Sequence, residues 1–166
     1  VIEMGANHLH EIEGYCEYTL PTHGIITNTG KAHLEGFGSI EGVRKGKGEL
    51  YDFLRGHNGT AFVMRDYDYL REMSKNIPKI ITYGTREADV TGTVLQSEPF
   101  LSVQINLKNG ATETIHTQLV GDYNLPNVLV AVTVGHQFGV PAKKIKSAIE
   151  NYTPSNSRSQ LISWKN

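Results

Sequence analysis

The chain has 166 residues, of which 39% are hydrophobic and 20% charged, a composition that supports a folded core and argues against disorder. The 16 Lys and Arg residues against 17 Asp and Glu give a formal net charge of -1, so overall charge offers no reason to propose nucleic acid or an anionic membrane as a partner. No apolar run reaches the length of about 18 residues that a membrane span needs, and the one cysteine, Cys16, cannot form an intrachain disulfide, which fits a reducing compartment, most simply the cytoplasm.

The first half of the chain alternates predicted strands and helices. Hydrophobic periodicity, β-branched runs and capping residues carry these predictions. In chain order we predict a buried strand over Val1–Met4, a helix over His10–Thr19, a strand over Gly24–Asn28, a helix over Ile40–Arg55 capped by Ser39, a strand over Thr60–Met64, a helix over Asp66–Lys75 capped by Asp66, and a strand over Lys79–Tyr83. This alternation is typical of a parallel sheet with crossover helices.

The pattern changes near Ala88. We predict three consecutive strands and then two helices: Val90–Gln96, Phe100–Lys108, Thr112–Val120, Asn124–Phe138 and Ala142–Tyr152. Strict apolar alternation in the second strand and the turn Asn109-Gly110 favour an antiparallel hairpin. The predicted fold class is therefore α/β, with a mostly parallel sheet flanked by helices and a small added antiparallel sheet.

Apolar, strand-like segments stand at both ends of the chain, at Val1–Met4 and at 161–164. Natural domains usually end in polar, exposed segments. The first residues show neither an initiator methionine nor a signal-peptide pattern. We therefore expect the chain to be a piece of a larger protein, whose activity would belong to the parent.

Two groups of polar residues follow predicted parallel strands, where open α/β sheets usually bind ligands. Glu3 lies in an apolar strand, and a carboxylate there needs a partner or a metal ion. His33 lies in the glycine-rich loop after the next strand. Glu3 and His33 together would suit Mg²⁺ or Mn²⁺, which prefer oxygen ligands. The alternatives are a strand-end Glu bonded to a neighbouring loop and an exposed loop His.

Lys47 and the pair Asn124 and Asn127 are further candidates. Lys47 lies in the basic stretch Arg44–Glu49, which is typical of a solvated helix face. The adjacent Gly48 costs a helix about 1 kcal/mol relative to alanine, which suggests a close approach to the backbone. The two asparagines stand three residues apart at a predicted helix start, where amide side chains suit a nucleotide or phosphate. A plain N-cap role for Asn124 is the alternative.

Together these segments resemble the central domain of the Mur ligases, and within that family the members that add D-alanyl-D-alanine. The motifs are EMGANH at Glu3–His8, ITNTGKAHLEGFGS at Ile26–Ser39, GKGEL at Gly46–Leu50, GDYNLPN at Gly121–Asn127 and NSRS at 156–159. The resemblance implies a central ATP-binding domain over residues 1–162, lacking the first strand and the phosphate loop. Residues 163–166 would begin the connection to a C-terminal domain.

The chain departs from the usual family pattern at two positions. Gly46 stands where alanine is usual before the lysine, and His10 stands where glycine is common. Neither residue belongs to the implied chemistry.

The resemblance implies an ATP-dependent amide ligase of peptidoglycan precursor synthesis. The carboxylate of UDP-N-acetylmuramoyl-tripeptide would attack ATP to give an acyl phosphate, and the amine of D-Ala-D-Ala would displace phosphate. ATP and Mg²⁺ are the implied cofactors. Missing N- and C-terminal domains of the same parent would hold the UDP-sugar and bring the dipeptide.

The family's metal-binding and catalytic positions correspond here to Glu3, His33 and Lys47. Lys47 matches a lysine that the family carbamylates with CO₂, which would convert it into an anionic metal ligand.

Nucleotide-contacting positions of the family correspond to Asn124, Asn127 and Arg158. Asn7 and His8 would lie near the acceptor substrate.

The 166 residues contain no G-x-x-x-x-G-K-[ST] motif, so we expect the chain alone to be inactive. Two other interpretations remain. One is a different ATP-dependent ligase of the Mur or folylpolyglutamate type, which should lack the GANH stretch. The other is a non-catalytic α/β binding domain whose polar loops are structural.

Overall fold

The structure, a computed structural model, describes residues 1–30 and 37–154. The chain divides into two compact units. The first unit holds Val1–Val63 and Tyr67–Ile81, and the second holds Met64–Asp66 and the chain from Thr82 onward. None of the helices within the described ranges is long and apolar enough to cross a membrane.

Helices and strands alternate along the first part of the chain, as the sequence predicts. In order they are α1 (Glu11–Thr19), β1 (His23–Ile25), α2 (Ile40–Gly56), β2 (Thr60–Met64), α3 (Asp68–Met73) and β3 (Lys79–Gly84). The elements that follow are β4 (Val90–Gln96), β5 (Ser102–Leu107), β6 (Thr112–His116), a 3-10 turn (Asp122–Asn124), α4 (Leu125–Gln137) and α5 (Ala142–Glu150).

The strands form one mixed, six-stranded sheet in the order β1-β2-β3-β4-β5-β6. β1 pairs with β2 and β3 with β4 in parallel, whereas β4 with β5 and β5 with β6 pair antiparallel. The predicted α/β fold is therefore confirmed. The antiparallel strands extend the same sheet and do not form a separate one, because β4 pairs with β3 on one side and with β5 on the other.

Packing in the first unit centres on β2 and α2. Every residue of β2 is buried, as expected for a strand covered on both faces. Ser39 caps α2, as predicted, and its hydroxyl accepts a hydrogen bond from the Gly42 N–H at 3.0 Å. β1 lies close to α2 because Gly24 has no side chain: a Cβ there would meet Leu54 Cδ1 at 2.8 Å.

The second unit packs α4 and α5 against the antiparallel strands. A Cβ at Gly92 of β4 would lie 2.6 Å from Leu129 Cδ2, so α4 can approach β4 only because this residue is glycine. The predicted hairpin between β5 and β6 is confirmed, with Gly110 at φ +87°. Glu150 of α5 accepts a hydrogen bond from the His116 N–H of β6 at 3.0 Å.

The strand predicted at Val1–Met4 is wrong. Residues 1–6 form no strand, and Val1, Ile2 and Glu3 are exposed. A strand persists only where a neighbour takes up its backbone N–H and C=O groups. No described strand pairs with this segment. An apolar run cannot reveal whether such a neighbour exists.

Several other element ends differ from the prediction; β6, for example, ends at His116 and not at Val120. Two of these differences concern residues near the candidate site or a predicted cap. The strand predicted over Gly24–Asn28 is observed as β1 over His23–Ile25, so Asn28 lies after the strand. α3 begins at Asp68, and the predicted cap Asp66 instead accepts a hydrogen bond from the Thr85 N–H at 2.9 Å. For Asp66 the difference reflects a partner that is 19 residues away in the sequence.

The close backbone approach predicted beside Lys47 occurs at Gly46 and not at Gly48. A Cβ at Gly46 would lie 2.4 Å from Phe37 Cε1, whereas a Cβ at Gly48 would lie 3.6 Å from Met73 Cε, an ordinary contact.

This difference makes Gly46 and Gly48 a matched pair for mutagenesis. We expect Gly48→Ala to raise the free energy of unfolding by about 1 kcal/mol, because alanine favours the helix. Gly46→Ala should lose that gain because the Phe37 ring must move. Urea unfolding of both variants measures the difference. Equal stabilisation by the two substitutions would contradict the close packing of Phe37 against Gly46.

Asp89 connects β3 and β4 through its carboxylate. The carboxylate accepts hydrogen bonds from the Thr82 N–H at 2.9 Å and the Thr82 hydroxyl at 2.8 Å, and Lys108 Nζ lies 3.2 Å away. Burial by itself would raise the pKa of Asp89, but the bonds from Thr82 and Lys108 bring it below its usual value.

A lowered folded-state pKa means that Asp89 stabilises the fold above its unfolded pKa of about 3.9, and that this stabilisation disappears as the pH falls through the folded pKa. Asp89→Asn should therefore be less stable than the wild type at neutral pH and similar to it in strong acid. Urea unfolding at several pH values measures this. Glu98→Gln, an exposed carboxylate, controls for net charge, and an equal effect there would contradict the prediction.

Candidate functional site

The segment Glu3–His8 lies on the surface of the first unit, directly before α1. Glu3 is exposed and makes no hydrogen bond or ion pair with another described residue. The N–H groups of Asn7 and His8 donate to Glu11 Oε2 at 2.7 and 3.1 Å. These backbone hydrogen bonds lower the pKa of Glu11 from its usual value. Glu11 therefore holds the backbone of both predicted substrate residues.

The start of α1 depends on a side chain from another helix. His10 has φ 71° and ψ 0°, a left-handed conformation that favours glycine, and its own side chain makes no capping hydrogen bond. Instead, the carboxylate of Glu49 in α2 accepts from the His10 N–H at 2.7 Å and from the Glu13 N–H at 3.0 Å. The His10 departure from the family pattern thus falls where glycine fits the backbone more easily.

Lys47 is partly buried in α2 and contacts the segment that follows β1. Its Nζ donates to the backbone carbonyl of Asn28 at 2.7 Å. Burial lowers the pKa of Lys47 from its usual value, because the surroundings disfavour the charged ammonium. More of this amine is therefore neutral at a given pH than in an exposed lysine.

A buried polar cluster beside Asn28 escaped the sequence analysis. The Thr29 N–H donates to the Tyr69 hydroxyl oxygen at 3.3 Å, and the Arg44 guanidinium lies 4.9 Å from the centroid of the Tyr69 ring. Thr29 Oγ1 and Arg44 Nε are buried and have no hydrogen-bond partner in the described part of the chain. Such atoms are rare because leaving them unpaired costs free energy.

His33 and Arg158, two predicted site residues, lie outside the described residues. Within 1–30 and 37–154, no group of three or more His, Cys, Asp or Glu side chains is placed to hold a metal ion. A metal site made by Glu3, His33 and Lys47 therefore stays a prediction.

Asn124 and Asn127 meet at the start of α4 in the second unit. Asn124 Nδ2 donates to the Val120 carbonyl at 2.9 Å, and Asn127 Nδ2 donates to Asn124 Oδ1 at 3.1 Å. Asn124 is buried and its side chain makes no capping hydrogen bond, so the plain N-cap interpretation is not observed. Asn124 instead orients the more exposed Asn127.

The sequence analysis also missed the roles of Glu11 and Glu49. Glu49 lies in the GKGEL motif and Glu11 lies three residues after the EMGANH motif, but a carboxylate in a helix has no pattern that identifies its acceptor bonds. For Glu49 the partners are 36 and 39 residues away in sequence. The only available signal was the position of Glu49 two residues after Lys47.

Known proteins resemble this chain in sequence and in fold. The family model described as Mur ligase middle domain matches residues 1–135. The UDP-N-acetylmuramoyl-tripeptide--D-alanyl-D-alanine ligase of Escherichia coli (strain K12) is 32% identical over 162 residues, which cover 91% of this chain and 34% of that protein.

Two solved structures are also similar. A crystal structure of MurF from Acinetobacter baumannii superposes with a TM-score of 0.86 at 27% identity and covers 99% of this chain and 36% of its own. MurF ligase from Thermotoga maritima in complex with ADP superposes with a TM-score of 0.83 at 20% identity, covers 98% of this chain and 38% of its own, and supports the fold alone.

This chain spans about a third of the length of the relatives it matches. The family match confirms the resemblance drawn from the motifs. The chain therefore belongs to the Mur ligase family and corresponds to its middle domain.

Proposed function

We propose that this chain is the ATP-binding middle part of a ligase that joins D-alanyl-D-alanine to UDP-N-acetylmuramoyl-tripeptide. The names of the relatives support this substrate pair. The observation that carries the proposal is Lys47, which burial shifts towards the neutral amine and which contacts Asn28 at 2.7 Å. Residues 1–162 would form the domain and 163–166 would begin the connection to the C-terminal domain, within a cytoplasmic parent.

In the proposed reaction the peptide carboxylate takes the γ-phosphoryl group of ATP and releases ADP. The amine of D-Ala-D-Ala then displaces phosphate and forms the amide. Both steps place negative charge on phosphoryl or tetrahedral oxygens, which cationic groups stabilise.

Mg²⁺, when bound, would supply much of this positive charge. Glu3, His33 and the carbamate of Lys47 would hold it, since carboxylate-type oxygens are its preferred protein ligands. Glu3 fits this role because its carboxylate is exposed and engages no other described residue.

Carbamylation of Lys47 is consistent with its surroundings. Only a neutral amine reacts with CO₂, and the reaction forms an N–C bond and releases a proton. Burial that lowers the pKa of Lys47 increases the neutral fraction. The carbamate nitrogen retains one hydrogen, which the Asn28 carbonyl can still accept, while the new anionic oxygens remain available to a cation.

The remaining assignments concern the nucleotide and the acceptor. Asn127, oriented by Asn124, would contact the nucleotide together with Arg158, and the ADP complex of the Thermotoga maritima structure is consistent with nucleotide binding by this fold. Asn7 and His8 would contact the acceptor peptide. Because the sequence contains no phosphate-loop motif, we propose that these 166 residues alone do not turn over ATP.

Lys47→Ala in the full-length ligase should lower kcat by about 100-fold or more, because the anionic ligand is lost. Formate or acetate should restore part of the activity by occupying the vacated space. Lys45→Ala, which removes an exposed lysine of the same helix, is the matched control. Near-normal turnover of Lys47→Ala in both CO₂-depleted and CO₂-replete buffer would refute the carbamate role.

Glu3→Ala should raise the Mg²⁺ concentration for half-maximal activity by about 10-fold or more, as loss of a metal ligand weakens the site. The melting temperature should not change, because Glu3 is exposed and unpaired among the described residues. Activity is titrated with Mg²⁺ in this variant and in Glu17→Ala, an exposed carboxylate of α1. An unaltered Mg²⁺ dependence of Glu3→Ala would show that Glu3 is not a ligand.

A further inference from the structure

We propose that Glu49 is a positioning residue of this ligase, one that sets the location of the acceptor-binding segment Asn7–His8 relative to Lys47. This inference rests on the proposed function. It assigns to Glu49 an effect on acceptor binding that acts through α1, without contact between Glu49 and the substrate.

The geometry begins with two hydrogen bonds from one carboxylate. Glu49 Oε1 accepts from the His10 N–H at 2.7 Å and Oε2 accepts from the Glu13 N–H at 3.0 Å. The first N–H groups of a helix have no partner within it, and their partial positive charge favours an anion. Hydrogen bonds to a charged acceptor are also stronger than neutral ones.

Local residues do not replace this cap. His10 contributes no side-chain cap and holds a left-handed backbone conformation, which is unfavourable for a residue with a side chain. The start of α1 therefore combines an unfavourable backbone with amides that Glu49 satisfies from another helix.

The acceptor segment is attached to this same point. Asn7 and His8 donate their N–H groups to Glu11, the first residue of α1. A shift of the start of α1 therefore moves both residues. Further along α1, Cys16 is fully buried, so the second half of the helix can remain packed while the start of its first turn shifts.

Lys47 and Glu49 share one turn of α2. Two residues apart, they leave a helix about 200° from each other, so Lys47 reaches Asn28 while Glu49 reaches α1. Because both residues lie within one hydrogen-bonded helix, it sets the spacing between the proposed catalytic lysine and the acceptor segment.

The test uses Glu49→Gln in the full-length ligase, with Glu17→Gln as the control that removes an exposed carboxylate of α1. An amide has one acceptor oxygen, and its NH₂ group would face the second N–H as another donor. We expect the KM for UDP-N-acetylmuramoyl-tripeptide to rise about 10-fold. This factor corresponds to the free energy of about one charge-assisted hydrogen bond. The KM for ATP and the melting temperature should stay near wild-type values. Hydrogen exchange of residues 7–13 should accelerate.

Each alternative outcome separates a different explanation. Faster exchange with an unchanged acceptor KM would make Glu49 a helix cap only and overturn the proposal. Unchanged hydrogen exchange would show that the two hydrogen bonds from Glu49 do not hold the start of α1, and it would also overturn the proposal. A parallel rise in both KM values with a lower melting temperature would indicate general destabilisation and also refute it. A wild-type enzyme without ligase activity would refute the proposed function, while exchange would still report on the Glu49 contact.

Discussion

One turn of α2 makes the contacts on which the proposed chemistry of the first unit depends. Lys47 donates to the Asn28 carbonyl, and Glu49 accepts from two N–H groups at the start of α1. Both contacts involve charged side chains that are partly removed from solvent, so each hydrogen bond is strengthened by charge. Because they extend from the same turn, a single helix contacts both the loop after β1 and the segment before α1.

Packing around α2 explains why this turn is stable despite its glycines. Phe37 lies against Gly46, where a Cβ would lie 2.4 Å from Cε1 of its ring unless the ring moved, and Ser39 caps the first turn. Glycine carries an intrinsic cost in a helix, and at Gly46 it allows this close approach of the Phe37 ring.

Unsatisfied polar atoms accumulate next to Asn28. Thr29 Oγ1 and Arg44 Nε are buried without a partner among the described residues, and both residues contact Tyr69. Buried polar atoms in folded proteins nearly always have a hydrogen-bond partner, so each exception calls for an explanation. Their position beside the lysine contact is consistent with a polar site at this point, and no sequence motif indicated the contribution of Tyr69.

The sequence by itself determined the family, the order of the elements and the bounds of β2 and β4, because periodicity, caps and turn residues act over short distances. It also singled out Lys47 and the pair Asn124 and Asn127, since motifs preserve residue type and spacing. Only the tertiary structure decided that residues 1–6 are not a strand, that Lys47 donates a hydrogen bond to the Asn28 carbonyl, and that Glu49 caps α1. Each of these outcomes depends on whether a partner far away in the chain is present, and local patterning carries no information about such partners.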